Sequence, residues 1–263
     1  MKIKKLFALS AAAIMTVTAL AGCGNKKPDL AYIQDKGTMV IGYTIMEPLN
    51  YTDKSGEFVG FETEFATAVC EKLGVKPEFQ LIDWDSKESE LSSKTIDCVW
   101  NGLTITDERK ANMSITNPYL DNRQVLVVKK DNVEKYTASL DGASIVVEAE
   151  SAGDELAKSD SRFANATVTA VDAQATALMD VKAGTSDVAV IDYVMAVGSI
   201  HEGSDYADLE FIDLDFPAEQ YGVAFRKGSN VTEEVNKIMD EMRADGTLEQ
   251  IAEKYDLIDI LIK

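Results

Sequence analysis

Residues 94–109 read KTIDCVWNGLTITDER. An apolar strand, Thr95 to Trp100, runs into Gly102 and then into a helix start. Thr106 is placed as the N-cap, and Asp107 and Glu108 suit the positive end of the helix dipole. A capping box would put Glu or Gln three residues after the cap. This chain puts Arg109 there, a cation at the helix end that prefers anions.

On either side of this stretch, apolar runs alternate with helical patterns. TMVIGYT (38–44) reads as a strand, and FVGFETEFATAVCEKLGV (58–75) as a turn into a helix. Phe61, Phe65, Val69 and Leu73 recur at a helical period, and Gly74 suits the position just past the end. EFQLID (78–83) reads as a strand and SKESELSSK (86–94) as a polar-faced helix. The pattern restarts with strands at RQVLVVKK (123–130) and ASIVVEA (143–149). AGDELAKS (152–159) then opens a helix, DAQATALMDVKAG (172–184) is another ending in a glycine, and DVAVID (187–192) is a strand. SKTIDCVWNG and AGTSDVAVID share an order: a helix end, a turn, an Asp, and an apolar strand stopping at a polar residue. That order suggests a second unit wound like the first. YGVAFRKG (221–228) is a later strand, and Gly246 divides the helical tail at 231–255 in two. Short strands alternating with helices predict an α/β fold with mostly parallel sheets.

The two ends and the composition bound what the chain can do. Lys2, Lys4 and Lys5 precede an apolar run at 6–20, the pattern of a secretory signal, too short and wrongly flanked to span a membrane. LAGC (20–23) resembles a bacterial lipobox, which implies cleavage before Cys23, a lipid such as palmitate on its thiol, and a tether over 23–30. Residues 1–22 carry three lysines and no acids, so their removal takes the formal net charge from −19 to −22. That excess argues against nucleic acid, whose binding needs clustered cations. Cys70 and Cys98 lie in apolar patterns without a CxxC, and His201 is the only histidine. Buried free thiols are expected, and no metal or cofactor.

In open α/β sheets ligands sit beyond the carboxyl ends of the strands. Three such ends carry suggestive groups: Asn101, Gly102, Thr104 and Arg109; Ser151; and Asp192. Arg109 offers a planar fork that matches a carboxylate, and Thr104 and backbone N–H groups at helix starts can donate to the same oxygens. Gly102 allows close approach and offers a carbonyl to an ammonium, which Asp192 can also pair. Each has an ordinary use as well: Arg109 on a helix surface, Asp192 as an N-cap, Thr104 at a strand edge. Together they describe an α-amino acid.

The order of EPLNYTDKSGEFVGFETEFATAVCEKLGV, KTIDCVWNGLTITDER, NPYLDNRQVLVVKK, VAVIDYV and EMRADGTLEQIAEKY resembles the extracytoplasmic solute-binding proteins of polar amino acid ABC transporters, bacterial solute-binding protein family 3. The resemblance implies a two-lobed periplasmic-binding-protein fold of type II, each lobe a mostly parallel sheet flanked by helices, joined by a two-strand hinge. Lobe 1 is expected at 31–122 plus 218–263 and lobe 2 at 123–217. By the same resemblance Arg109 grips the ligand carboxylate with Thr104 and Gly102 as partners, Asp192 takes the ammonium, and Ser151 is a second-lobe hydroxyl or amide. Trp84 matches an aromatic wall, and Tyr43 and Met46 fall in the loop that supplies a stacking ring. Glu148 and Glu47 match positions near the ligand side chain; two acids there favour a polar uncharged or basic amino acid. EAESAG (148–153) departs from the family pattern, with Glu150 in place of a Gly and Ala152 in place of a hydroxyl. The resemblance further implies a monomer on the outer face of the membrane that delivers its ligand to permease subunits. A dehydratase of an amino acid-like cyclohexadienyl acid on the same fold, and a ligand-sensing domain, are the alternatives.

Overall fold

Where the apolar period is helical, helices form, and glycines stop them. In the computed structural model, which describes residues 27–263, α1 (Asp29–Lys36) leads into β1 (Thr38–Tyr43), and a small hairpin of β2 (Tyr51–Thr52) and β3 (Phe58–Val59) precedes α2 (Phe61–Leu73). The signal segment 1–22 and Cys23 lie outside the described residues. Gly74 ends α2 at a φ of 75°, a left-handed conformation that glycine takes without a Cβ penalty. Then come β4 (Lys76–Leu81), α3 (Lys87–Ser93), β5 (Cys98–Val99), α4 (Asp107–Asn112) and β6 (Met113–Ile115). A long strand, β7 (Leu120–Lys129), is followed by α5 (Val133–Ala138), β8 (Ser144–Glu148), α6 (Ala152–Ser159), β9 (Thr167–Val171), α7 (Gln174–Ala183), β10 (Val188–Asp192), α8 (Tyr193–Ser199) and β11 (Leu209–Ile212). The chain returns through β12 (Ala218–Tyr221) and β13 (Ala224–Arg226) and closes with α9 (Val231–Ala244) and α10 (Thr247–Lys254).

Two main sheets result, one of five strands and one of six counting β12 on the end of β7, and their five-strand paths have one topology. The first runs β4-β1-β5-β13-β6 and the second β9-β8-β10-β7-β11. In each, the first three strands are parallel and the fourth, β13 or β7, runs against its neighbours. Side chains alternate between two apolar clusters on opposite faces. In the second sheet Val125, Val127, Ala189 and Ile191 face one cluster, and Leu126, Val128, Val188 and Val190 the other. Helices cover both faces, which is why VLVV and VAVI read as unbroken apolar runs. The expected α/β fold with two lobes is observed, with one reversed strand per sheet.

The repeated Asp of the sequence has a structural cause. Asp97, one residue before β5, accepts from Val40 N in β1 at 2.9 Å. Asp187, one residue before β10, accepts from Ser144 N in β8, also at 2.9 Å. In both sheets a buried or half-buried carboxylate thus completes the ladder where two parallel strands begin. Asp97 also pairs with Lys36 and with Arg226 Nη2 at 3.1 Å.

The sheets share β7. From Leu120 to Arg123 it pairs with β12, and from Gln124 onward with β10 and β11. β12 is tied in turn to the segment after β5: Ile105 N donates to Gln220 O at 2.8 Å and Gly222 N to Leu103 O at 3.0 Å. Two crossing strands therefore lie directly behind the carboxyl ends of β5 and β10.

Candidate functional site

Thr106 caps α4 through a bond from Arg109 N to its Oγ1 at 3.1 Å. With the cap satisfied by backbone, the Arg109 side chain turns away from the helix axis and is buried, 4% exposed. Its Nη1 donates to Thr104 O at 2.9 Å, and its Nη2 reaches across to the second unit, to Glu150 O at 3.2 Å and Glu155 Oε1 at 3.3 Å. Lys87, also buried, donates to Trp84 O at 3.1 Å and to the same Glu150 carbonyl at 3.3 Å. Its burial and the neighbouring Arg109 push its pKa down to about 8.

Asp192 faces this group from the end of β10. It follows an ordinary strand, yet it makes no side-chain cap bond to α8. Instead its Oδ1 accepts from Asn122 Nδ2 and, at 2.9 Å, from Gln124 Nε2, and its Oδ2 accepts from Gln174 Nε2. Burial raises its pKa. Glu148, at the end of β8, is buried with its Oε1 unpartnered, and burial followed by the nearby Asp192 raises its pKa to about 8.

Arg109, Thr104, Gly102, Asn101, Trp84, Met46, Ser151, Glu148 and Asp192 all line one cavity between the two units. Ala152 and Gln174 complete its wall. Its volume is about 10 Å³, room for one water molecule, so the units are shut on each other. Anything larger than a water molecule can enter only if the units part. A larger depression of about 1000 Å³ beside the start of β5 contains none of these residues.

Several of these side chains are also occupied locally. Asn101 Oδ1 accepts from Thr44 N at 3.0 Å and its Nδ2 donates to Thr44 O at 2.8 Å, which fixes the loop after β1. Ser151 Oγ caps α6 by accepting from Asp154 N at 3.1 Å. Gly102 has a φ of 55°, and a Cβ there would meet Met46 Sδ at 3.0 Å. Tyr43 and Glu47 do not reach the cavity. Tyr43 packs on Phe58 and Phe79, and the carbonyl of Glu47 lies against Gly198 of α8.

Sequence reading missed the acids behind the wall. Glu62 is fully buried, accepts from Gly102 N at 2.9 Å and from Tyr119 Oη, and is raised to about 7 by burial. Its signal was available: an acid on the apolar stripe of α2. Glu219 on β12 accepts from Thr104 Oγ1 at 2.9 Å, Asn122 Nδ2 at 3.0 Å and Gln124 Nε2 at 3.1 Å. It too is raised to about 7, by burial and then by Asp192. Four carboxyls thus converge on a site holding two cations, an arrangement that favours a ligand bringing positive charge.

The chain matches the model of the bacterial extracellular solute-binding proteins, family 3, over residues 39–257. It is 32% identical over 258 residues to the L-cystine-binding protein TcyA of Bacillus subtilis, covering 92% of this chain and 94% of that one. To the arginine-binding extracellular protein ArtP of Bacillus subtilis it is 30% identical over 256 residues, covering 96% and 98%. Its structure resembles that of an ABC uptake transporter substrate-binding protein from Streptococcus pneumoniae with bound histidine, with a TM-score of 0.80, 28% identity and coverage of 90% and 99%. With a family model matched over most of its length and these relatives covering nearly all of it, the chain belongs to the bacterial extracellular solute-binding proteins, family 3.

Proposed function

We propose that the protein binds an L-amino acid in the cleft between its two lobes, outside the cytoplasmic membrane, and delivers it to the permease of an ABC importer. One observation carries this reading: Arg109 and Asp192, opposite charges from different units, are both buried against one cavity. Arg109 exchanges its contacts with Glu150 and Glu155 for the ligand carboxylate, with Thr104 and Gly102 beside it, and Asp192 takes the ammonium. A ligand that touches both lobes binds the closed form better than the open one and so drives closure. The hinge lies where the chain crosses twice, near residues 122–123 and 217–218, giving lobe 1 as 31–122 plus 218–263 and lobe 2 as 123–217. The protein works as a monomer without catalysis, held to the outer face of the membrane by lipid on Cys23.

The ligand is a polar uncharged or basic amino acid. A second cationic or amide group of the ligand would meet the unpartnered oxygen of Glu148, and a cation there would hold that carboxyl ionised, whereas an acidic side chain would gain no such partner. The names of relatives that bind L-cystine and arginine, and a neighbour with bound histidine, support that class. A thermal-shift screen with the twenty amino acids, followed by calorimetry on the hits, tests it. Tight binding of glutamate with no response to arginine, lysine, histidine or glutamine overturns the assignment.

A further inference from the structure

Asp192 and Glu219 come from different strands, β10 and β12, but they face the same two donors. Asn122 Nδ2 and Gln124 Nε2, both on β7, each donate to Asp192 Oδ1 and to Glu219 Oε2. Two amide groups of β7 therefore hold an oxygen of the buried Asp192 and an oxygen of the half-buried Glu219 side by side. Like charges so placed do not both ionise without a cation; they hold one proton between them.

The surrounding groups sharpen this. Glu62 of α2 and Glu148 of β8 both feel the charge of Asp192. Tyr221 of β12 is buried and turns its hydroxyl toward Asp192, a neutral donor that offers no charge. Arg109, across the cavity, and Lys87 both donate to the Glu150 carbonyl and bond to neither carboxyl. Gln174 and Thr104 contribute neutral donors only. No cation among the described residues bonds to either carboxyl.

We infer that Asp192 and Glu219 form one proton-holding pair wired through Asn122 and Gln124, and that the ammonium of an entering amino acid expels the shared proton. This inference rests on the amino acid-binding reading above. Before binding the pair carries one proton and one negative charge. After binding both carboxyls are ionised beside the ammonium, and the proton has gone to solvent. The raised pKa of both groups agrees with this. Glu219 is then a positioning residue: it never touches the ligand, yet it sets the charge that Asp192 can present and links it to Thr104 on the opposite lobe.

Calorimetry of L-arginine binding in phosphate and in Tris at pH 7 counts the released protons. The expected result is a heat that differs between buffers by about half a proton per ligand, since a group held near 7 is half protonated at that pH. The dissociation constant should also rise about tenfold per pH unit as the pH falls below 7. Glu219→Gln keeps the shape and should flatten that slope and abolish most of the buffer dependence, with its melting curve serving as the check on folding. A buffer-independent heat in the wild type overturns the inference without any variant. Release that persists undiminished in Glu219→Gln also overturns it, assigning the proton to Glu62 or Glu148. If L-arginine gives no heat, the amino acid with the largest thermal shift replaces it. If none of the twenty binds, the functional reading itself fails, an outcome distinct from binding without proton release.

Discussion

Arg109 stands at the third position of a helix whose cap already has its donor, so nothing in α4 needs its charge. The guanidinium is instead held by a carbonyl of its own segment and by acceptors from the other unit. Removing one partner of a buried charged pair costs roughly 2–5 kcal/mol in binding. Arg109→Ala is therefore expected to raise the dissociation constant at least about thirtyfold by calorimetry, with the circular dichroism spectrum unchanged. Glu148→Gln makes a different prediction. It should weaken arginine tenfold or more while leaving glutamine within a few-fold, and equal losses for both would remove Glu148 from the side-chain pocket. Arg109 was legible in the sequence because it broke a capping pattern, and Asp192 because it ended an apolar strand. Glu219 was not, because its partners Thr104, Asn122 and Gln124 are gathered only when the chain crosses back.

At the scale of elements, legibility followed burial. α2, α6 and α7 were readable because one face is buried and a glycine or serine marks an end. β9 was not read as a strand: Thr167–Ala170 are exposed and form the edge of the second sheet, where an apolar run is not needed. β5 is shorter than the Thr95–Trp100 run: Asp97 still meets Val40 through both its N–H, at 2.7 Å, and its carboxylate, and only Cys98 and Val99 form the strand proper. A contact between elements carries the next prediction. Gly198 of α8 meets the loop after β1 so closely that a Cβ would lie 2.5 Å from Pro48 Cδ and 2.8 Å from Glu47 O. Gly198→Val should keep the lobes from shutting fully, weakening ligand binding about tenfold or more, chiefly through faster dissociation in stopped-flow measurements. An unchanged dissociation rate would show that α8 and this loop do not meet in the bound form.

For the whole molecule, the buried acids set the response to pH. Glu62 and Glu219 are raised to about 7 and Glu148 to about 8, all mainly by burial. A carboxyl raised above its unfolded value holds a proton in the folded state that the unfolded chain has lost. Its stabilising effect is complete below about 4.5 and disappears as the pH climbs through 7 to 8. Glu62 alone corresponds to roughly 3 kcal/mol at most. The ligand-free protein should therefore melt at a lower temperature at pH 8 than at pH 5 in scanning calorimetry, against the usual trend. Asp160 and Asp187, whose pKa values are lowered by hydrogen bonds, act only in more acidic solution and leave this window unaffected.

The shared topology has a consequence for how the molecule is made. Every strand of the second sheet, β7 to β12, precedes β13 in the chain, whereas β13 sits between β5 and β6 in the first sheet. A polypeptide emerging from its amino end can finish lobe 2 while lobe 1 still lacks an inner strand. Until residues 224–226 arrive, β5 and β6 expose open edges of the kind that recruit stray strands. The half of the protein begun first is the half completed last, and the interval between is when a folding helper has the most to shield.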